Sequence, residues 1–306
     1  MSPEISVVIP TLGRPAMVER VLERLDRQTV TPGAFEVIVV ADAKEERADE
    51  LERAVAAREY SARCLRAPKP GASAARNAGW RSAGAPLVLF IDDDILPEPV
   101  LVAEHLRWHG EHPAENIGVL GLVRWADELE VTPFMRWLEY GIQFDYPNIE
   151  GTEAGWGRFY TANASVKRGL LERVGGFDEE RLPFGYEDLD LALRMHAHGF
   201  RLLYNRAAVA EHLHPMDLEF WKRRVSRIAI SERRFVAMHP EVPPYFYELF
   251  SAAAAAPPAR GRGARLARFV PRSLPVIGPR VWGSADAAYR QALARPFLEA
   301  WEAAGD

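Results

Sequence analysis

Pro86-Leu87-Val88-Leu89-Phe90-Ile91-Asp92-Asp93-Asp94 runs from an apolar stretch straight into three consecutive carboxylates. The apolar part is rich in β-branched and aromatic residues and too short for a helix, so it reads as a buried strand. Three acids at its exit repel one another. Either they form a solvated acidic turn, or they seat a divalent cation that accompanies a diphosphate. Pro97 and Pro99 stop the strand and should hold the turn at the surface. Side chains alternate along an extended segment, so Asp92 and Asp94 should point the same way. One would then take the metal and the other a ribose hydroxyl. Oxygen ligands select a hard ion, Mg2+ or Mn2+.

Upstream, strand and helix signals alternate. Residues 5–9 form a strand stopped by Pro10, and Pro15 opens a helix with Val18, Val21, Leu22 and Leu25 on one stripe. Residues 35–40 are a second strand, 45–59 a charged helix, 64–66 a short third strand and 72–83 an alanine-rich helix. Repeated βα units imply parallel strands with right-handed crossovers, an α/β sheet whose ligands bind beyond the carboxyl ends of its strands. Pro10, Thr11, Asp42, Lys69 and the three aspartates then share one rim. Asp42 can accept from a base N–H or a ribose hydroxyl there, or cap the next helix. At residues 69–77, Gly71 permits an unusual backbone angle and the helix N-terminus offers N–H groups to phosphate. Arg76 adds a charge-assisted bond.

Downstream, residues 117–125 read as a strand, 141–157 as a loop, and 168–174 as a short helix capped by Gly175 or Gly176. A helix over 186–198 ends at Gly199, and a strand over 200–204 follows. Glu187-Asp188-Leu189-Asp190 opens that helix, where acids complement the dipole and Asp190 pairs with Arg194. The same dipole should lower the pKa of Asp188 and keep it ionised, ready to accept a proton. His212 and His214 share one face of a strand, and either can complete a metal shell. Asp217 caps a helix that runs to about Met238. Residues 251–258, an alanine run with two prolines, read as a linker. Beyond it, Arg260, Arg262, Arg265, Arg268, Arg272 and Arg280 alternate with Leu266, Phe269, Val270, Leu274, Ile277 and Trp282, with no acid among them. Such a stretch lies on an anionic membrane surface, packs on the body of the protein, or forms a dimer contact.

A chain of 306 residues with 48% hydrophobic content sustains a sizeable core in one large or two small domains. A net charge of −5 argues against a nucleic-acid partner. The single cysteine, Cys64, excludes an internal disulfide and a cysteine zinc site, and fits a reducing compartment. The first residues lack a basic region and no apolar run reaches membrane-spanning length, so a cytoplasmic location is expected, with peripheral contact at the inner membrane face through the basic tail.

These motifs together resemble the family 2 glycosyltransferases. Val7-Val8-Ile9-Pro10-Thr11-Leu12-Gly13-Arg14 is similar to that family's first strand and donor loop. Phe35-Glu36-Val37-Ile38-Val39-Val40-Ala41-Asp42 is similar to its second strand, which ends in the acid that meets the base. Gly71 to Asn77 resembles its glycine-to-Arg-Asn helix start, and Phe90 to Asp94 its DXD motif. Gly175-Gly176-Phe177-Asp178-Glu179 with Glu187 to Leu191 and Arg194 resembles its acceptor-side signature. Val209-Ala210-Glu211-His212 falls where some members place a metal-binding histidine. Ala41-Asp42-Ala43-Lys44 departs from the common Asp-Asp-Gly-Ser.

The resemblance covers residues 4 to 215. It implies a GT-A type α/β fold, a Rossmann-like, mostly parallel central sheet flanked by helices, with a helical C-terminal extension. Residues 1–98 would be the nucleotide-sugar half, 99–215 the acceptor half and 216–306 the extension. The implied reaction is inverting transfer of a sugar from a UDP, GDP or dTDP type donor to a carbohydrate or lipid-linked acceptor, in cell-surface glycan or glycolipid synthesis. Asp188, with Glu187 beside it, would supply the base. Pro10, Thr11, Arg14, Asp42, Lys69, Arg76, Asp92 and Asp93 would meet the donor, and Asp94 and His212 the Mg2+ or Mn2+. Trp156 and Asn163 would line the acceptor or sugar pocket, unless Asn163 is a buried strand residue with a satisfied amide. Two rivals share the pattern. A sugar-nucleotide-forming nucleotidyltransferase normally opens with a basic glycine-rich loop, of which Leu12-Gly13-Arg14-Pro15 is a poor version. A non-catalytic binding protein of the same fold would have little use for Asp92, Asp94 and Asp188.

Overall fold

The computed structural model describes residues 2–259 and 262–305; Arg260, where the basic tail begins, lies outside them. Two compact units emerge. The first runs to Leu129 and resumes over Asn148–His214, and the second comprises Glu130–Pro147 and the described residues from Pro215 onward.

The first unit opens with β1 (Ile5–Thr11), α1 (Pro15–Leu25), β2 (Phe35–Ala41), α2 (Ala48–Ala56), β3 (Ser61–Arg66) and α3 (Ala72–Ser82). It continues with β4 (Leu87–Ile91), β5 (Ile95–Pro97), α4 (Leu101–Glu111) and β6 (Ile117–Trp125). After a short helix of the second unit, α5 (Pro133–Leu138), come β7 (Asn163–Lys167), α6 (Arg168–Val174), α7 (Glu187–His196) and β8 (Arg201–His212). All eight strands form one sheet in the order β3-β2-β1-β4-β7-β6-β8-β5. β1 to β4 pair in parallel, as the βα alternation predicts, and β7 runs against both neighbours. β1, β2 and β4 are buried along nearly their whole length, which is why they read as unbroken apolar runs rather than alternating ones. α3 sits directly on this sheet, because a side chain at Gly79 would run into Val8 and press on Val40.

Two sequence expectations need correction here. The acidic triplet is not a surface turn held by the prolines, since Asp93 and Asp94 are buried. Following the turn closed by Ile95 N–H on the Asp92 carbonyl, the chain resumes as β5, whose three residues are buried and pair antiparallel with β8. Pro97 is tolerated because β5 is the edge strand. β8 is also far longer than residues 200–204. It passes a bulge opposite the Gly121/Leu122 step and extends to His212.

The second unit adds α8 (Leu218–Met238), α9 (Tyr245–Ala255), α10 (Arg262–Leu266) and α11 (Ile277–Ala303). Asp217 caps α8 as expected, accepting from Phe220 N–H at 2.7 Å. The buried Glu232 carboxylate takes the first N–H groups of α9, from Phe246 and Tyr247, at 2.7 and 2.9 Å. The alanine run is not a linker up to residue 255. It is the end of α9, since alanine is the strongest helix former, and only Ala256 to Ala259 remain irregular. Residues 130–147, read from sequence as part of the acceptor half, belong to this unit.

Candidate active site

Four strand ends carry the residues that the sequence placed on one rim. Thr11, at the end of β1, donates its hydroxyl to Asp93 Oδ2 at 2.6 Å. Arg14 follows in the loop and bridges Asp93 at 2.5 Å and Asp94 at 2.7 Å. Asp42, beyond β2, accepts from Lys44 N–H at 2.8 Å and from Gly71 N–H at 2.7 Å. It does not cap α2, whose N-cap is Arg47. A carboxylate offers about four acceptor positions, so Asp42 retains capacity for a ligand. Lys69 is exposed and faces Glu180 at 3.6 Å.

The triplet does not alternate as an extended strand would. The turn after Ile91 sends Asp93 and Asp94 together to Arg14, and Asp92 the other way to Arg76. Burial pushes Asp93 up to about 7, against the pull of Arg14. Burial acts on Asp94 too, but His212 and Arg14 outweigh it and hold Asp94 below the usual carboxylate range. The β5–β8 pairing sets this up, since Ile95 is registered with His212 and Leu213 N–H donates to the Asp94 carbonyl at 2.9 Å.

Arg76 takes a different role from the one its position suggested. It is 5% exposed and donates to Asp92 at 2.8 Å and to Glu187 at 2.9 Å, so it links two carboxylates instead of facing outward. The N-terminus of α3 is not open either. Ser73 Oγ donates to the Leu182 carbonyl at 2.5 Å, and a side chain at Gly71, where φ is +115°, would come within 2.8 Å of the Pro183 carbonyl oxygen. Asn77, next on α3, donates to the Phe177 carbonyl at 2.9 Å and accepts from Phe177 N–H at 3.0 Å.

Gly185 and Tyr186, both left-handed with φ of 78° and 64°, turn the chain sharply into α7. Positive φ at a tyrosine is a strained conformation that surrounding structure has to impose. Glu187 is buried, gives one oxygen to Arg76, and keeps Oε2 without a protein hydrogen bond. Asp188 follows. The lowered pKa expected from the helix dipole is reversed: burial and then Glu187 raise it to about 7, against Arg76. Asp190 and Arg194 pair at 2.7 Å as expected.

Asn163 follows the buried alternative of the sequence reading, and Trp156 lies away from the acids. Asn163 has no exposed surface, and its amide is fully engaged with the carbonyls of Leu122 and Ala208 and with His105 at 2.9 Å. It belongs to a buried chain that runs through Ser165 and His109 to Lys167. The i,i+4 spacing of His105 and His109 on α4 was the available sign of that inward face. Trp156 packs beside His196, at the far end of α7 from the acids, roughly 12 Å of helix away.

Among the described residues, no cluster of three or more His, Cys, Asp or Glu side chains is arranged to hold a metal. Asp94, in the turn before β5, and His212, at the end of β8, are two donors. That fits a Mg2+ or Mn2+ ion bound by one or two protein groups with the remainder from substrate phosphate.

Residues 3–230 match the family model described as Glycosyltransferase like family 2. A validoxylamine A glucosyltransferase of Streptomyces hygroscopicus subsp. limoneus is 30% identical over 281 residues, covering 81% of this chain and 59% of that protein. The probable glycosyltransferase YdaM of Bacillus subtilis is 22% identical over 74% of this chain and 54% of its own length. The chain thus spans about three-fifths of the first of these relatives. Among solved structures, the mannosyltransferase PcManGT from Pyrobaculum calidifontis, in complex with GDP-Man and Mn2+, has a TM-score of 0.63 at 20% identity, over 97% of this chain and 88% of that one. S. aureus TarS 1-349 has a TM-score of 0.56 at 14% identity, over 98% and 90%. At such identities the likeness is one of fold, the GT-A type.

Proposed function

From the premise that the chain belongs to the glycosyltransferase-like family 2, we propose that it transfers a sugar from a nucleotide diphosphate to an acceptor hydroxyl with inversion. The observation that carries this reading is the Arg76 fork, which ties a donor-rim acid, Asp92, to Glu187 at the start of α7, the residue next to Asp188. Asp188, with its pKa near neutrality, takes the acceptor proton as the acceptor oxygen attacks the anomeric carbon. Glu187 Oε2, lacking a protein partner, accepts a hydrogen bond from the acceptor and orients it. The diphosphate departs on the opposite face, where Arg14 supplies positive charge. Asp94 and His212 would hold Mg2+ or Mn2+, which neutralises charge on the leaving diphosphate. Asp42, with Asp92, meets the base and ribose. The acceptor is a carbohydrate or lipid-linked saccharide of cell-surface glycan synthesis.

Relatives support the donor class, since PcManGT is in complex with GDP-Man and Mn2+ and TarS is in complex with UDP and with UDP-GlcNAc. The test is a panel of UDP-, GDP- and dTDP-sugars with Mn2+ and candidate acceptors. Nucleoside diphosphate release and an inverted anomeric proton in the product are expected. Pyrophosphate release from a nucleoside triphosphate would replace the reading with nucleotidyl transfer, and binding without turnover across the panel would leave a binding protein.

A further inference from the structure

Ten large apolar side chains are exposed among the described residues of the protein, and five of them fall within a single stretch of the second unit: Leu266, Phe269, Leu274, Val276 and Ile277. Phe269 is 77% and Val276 65% exposed. The stretch is held in place. Arg272 lies between the rings of Tyr140 and Trp282, at 3.8 and 4.1 Å, and Trp282 donates to the Val270 carbonyl at 2.8 Å. Gly263 lets α10 lie against α11 at Ser284 and Ala285. Around the apolar residues stand the exposed Arg262, Arg265, Arg268 and Arg280, and residues 249–285 contain no acid. Of these four arginines, only Arg268 has an acidic neighbour among the described residues, the largely exposed Glu130 at 3.5 Å.

We propose that this face docks the protein on an anionic phospholipid surface, with Phe269, Leu274, Val276 and Ile277 entering the headgroup–acyl boundary and the arginines meeting lipid phosphates. The complementarity decides the occupant. Projecting apolar groups ringed by exposed cations, three of them with no acidic partner among the described residues, match a bilayer, which is apolar inside and negatively charged at its face. No helix among the described residues is long and apolar enough to cross a membrane, so the contact is docking on the surface. The inference rests on the second unit alone and does not depend on the transfer reaction.

Flotation of the full chain with phosphatidylcholine vesicles, with and without phosphatidylglycerol, tests it. Binding to the phosphatidylglycerol vesicles, weakened by salt, is expected. Phe269→Asp with Ile277→Asp should reduce it about tenfold or more, while the circular dichroism spectrum and nucleotide-induced thermal shift stay unchanged. Failure to float with either vesicle, or equal binding to both, would overturn the proposal. So would a dimer in sedimentation that the double variant dissociates, which would give the face to a second copy of this chain.

Discussion

In the proposed transfer reaction, Asp188 is the residue on which the chemistry turns. A carboxyl whose pKa is raised in the folded state favours the protonated fold. The folded chain therefore binds more protons than the unfolded one between the ordinary carboxylate value and about 7, and stability falls as pH rises through that window. Asp188→Asn should lose about 10²–10⁴-fold in transfer, keep donor binding, and gain melting temperature over wild type progressively as pH is raised to about 7. The pH–rate profile of the wild type should climb through the same window. Arg76→Met removes the cation that lowers Asp188, so the climb should move to higher pH. The variant should also be destabilised by about 3–5 kcal/mol, because the buried Glu187 loses its only protein partner among the described residues, as does the half-buried Asp92. Circular dichroism melts and initial rates against pH check both. These acids were legible in the sequence as residue types at strand and helix ends. Their partners were not: Arg76 looked like a phosphate ligand because nothing local says that Glu187, far along the chain, comes to meet it.

At the level of elements, β6 and α8 were readable because their signals are local. β6 is a bounded apolar run, and α8 begins at a capping aspartate. β5 was not readable. Three residues before a proline carry no periodicity, and the strand exists only because β8 lies beside it. The loop over 182–183 that covers the start of α3 depends on a glycine at position 71. Gly71→Ala puts a Cβ against the Pro183 carbonyl at a backbone angle unsuited to alanine. It should cost about 1–3 kcal/mol and loosen nucleotide affinity through the Asp42–Gly71 bond, measured by denaturant unfolding and calorimetric titration.

For the molecule as a whole, the parallel half of the sheet and the order of the motifs sufficed to place the chain among the GT-A folds. That residues 130–147 belong to the second unit did not follow from sequence, because they pack with segments more than a hundred positions later, such as Trp137 with Asp286 at 2.8 Å. Ligand linkage is a property of this scale. Mn2+ together with a cognate nucleoside diphosphate should raise the melting temperature, equivalent to about 2.7 kcal/mol at a hundred times the Kd. Chelation should cancel the gain, and Asp94→Ala should remove its metal dependence.

Gly79 brings a last consequence. With no side chain to hold it off, α3 rests flush on two strands, and Arg76 and Asn77 ride on the same rigid rod. A side chain at position 79 would lift that rod off the sheet. Under the proposed reaction, breadth towards acceptors would have to come from other parts of the lining, with this corner serving as a fixed anvil.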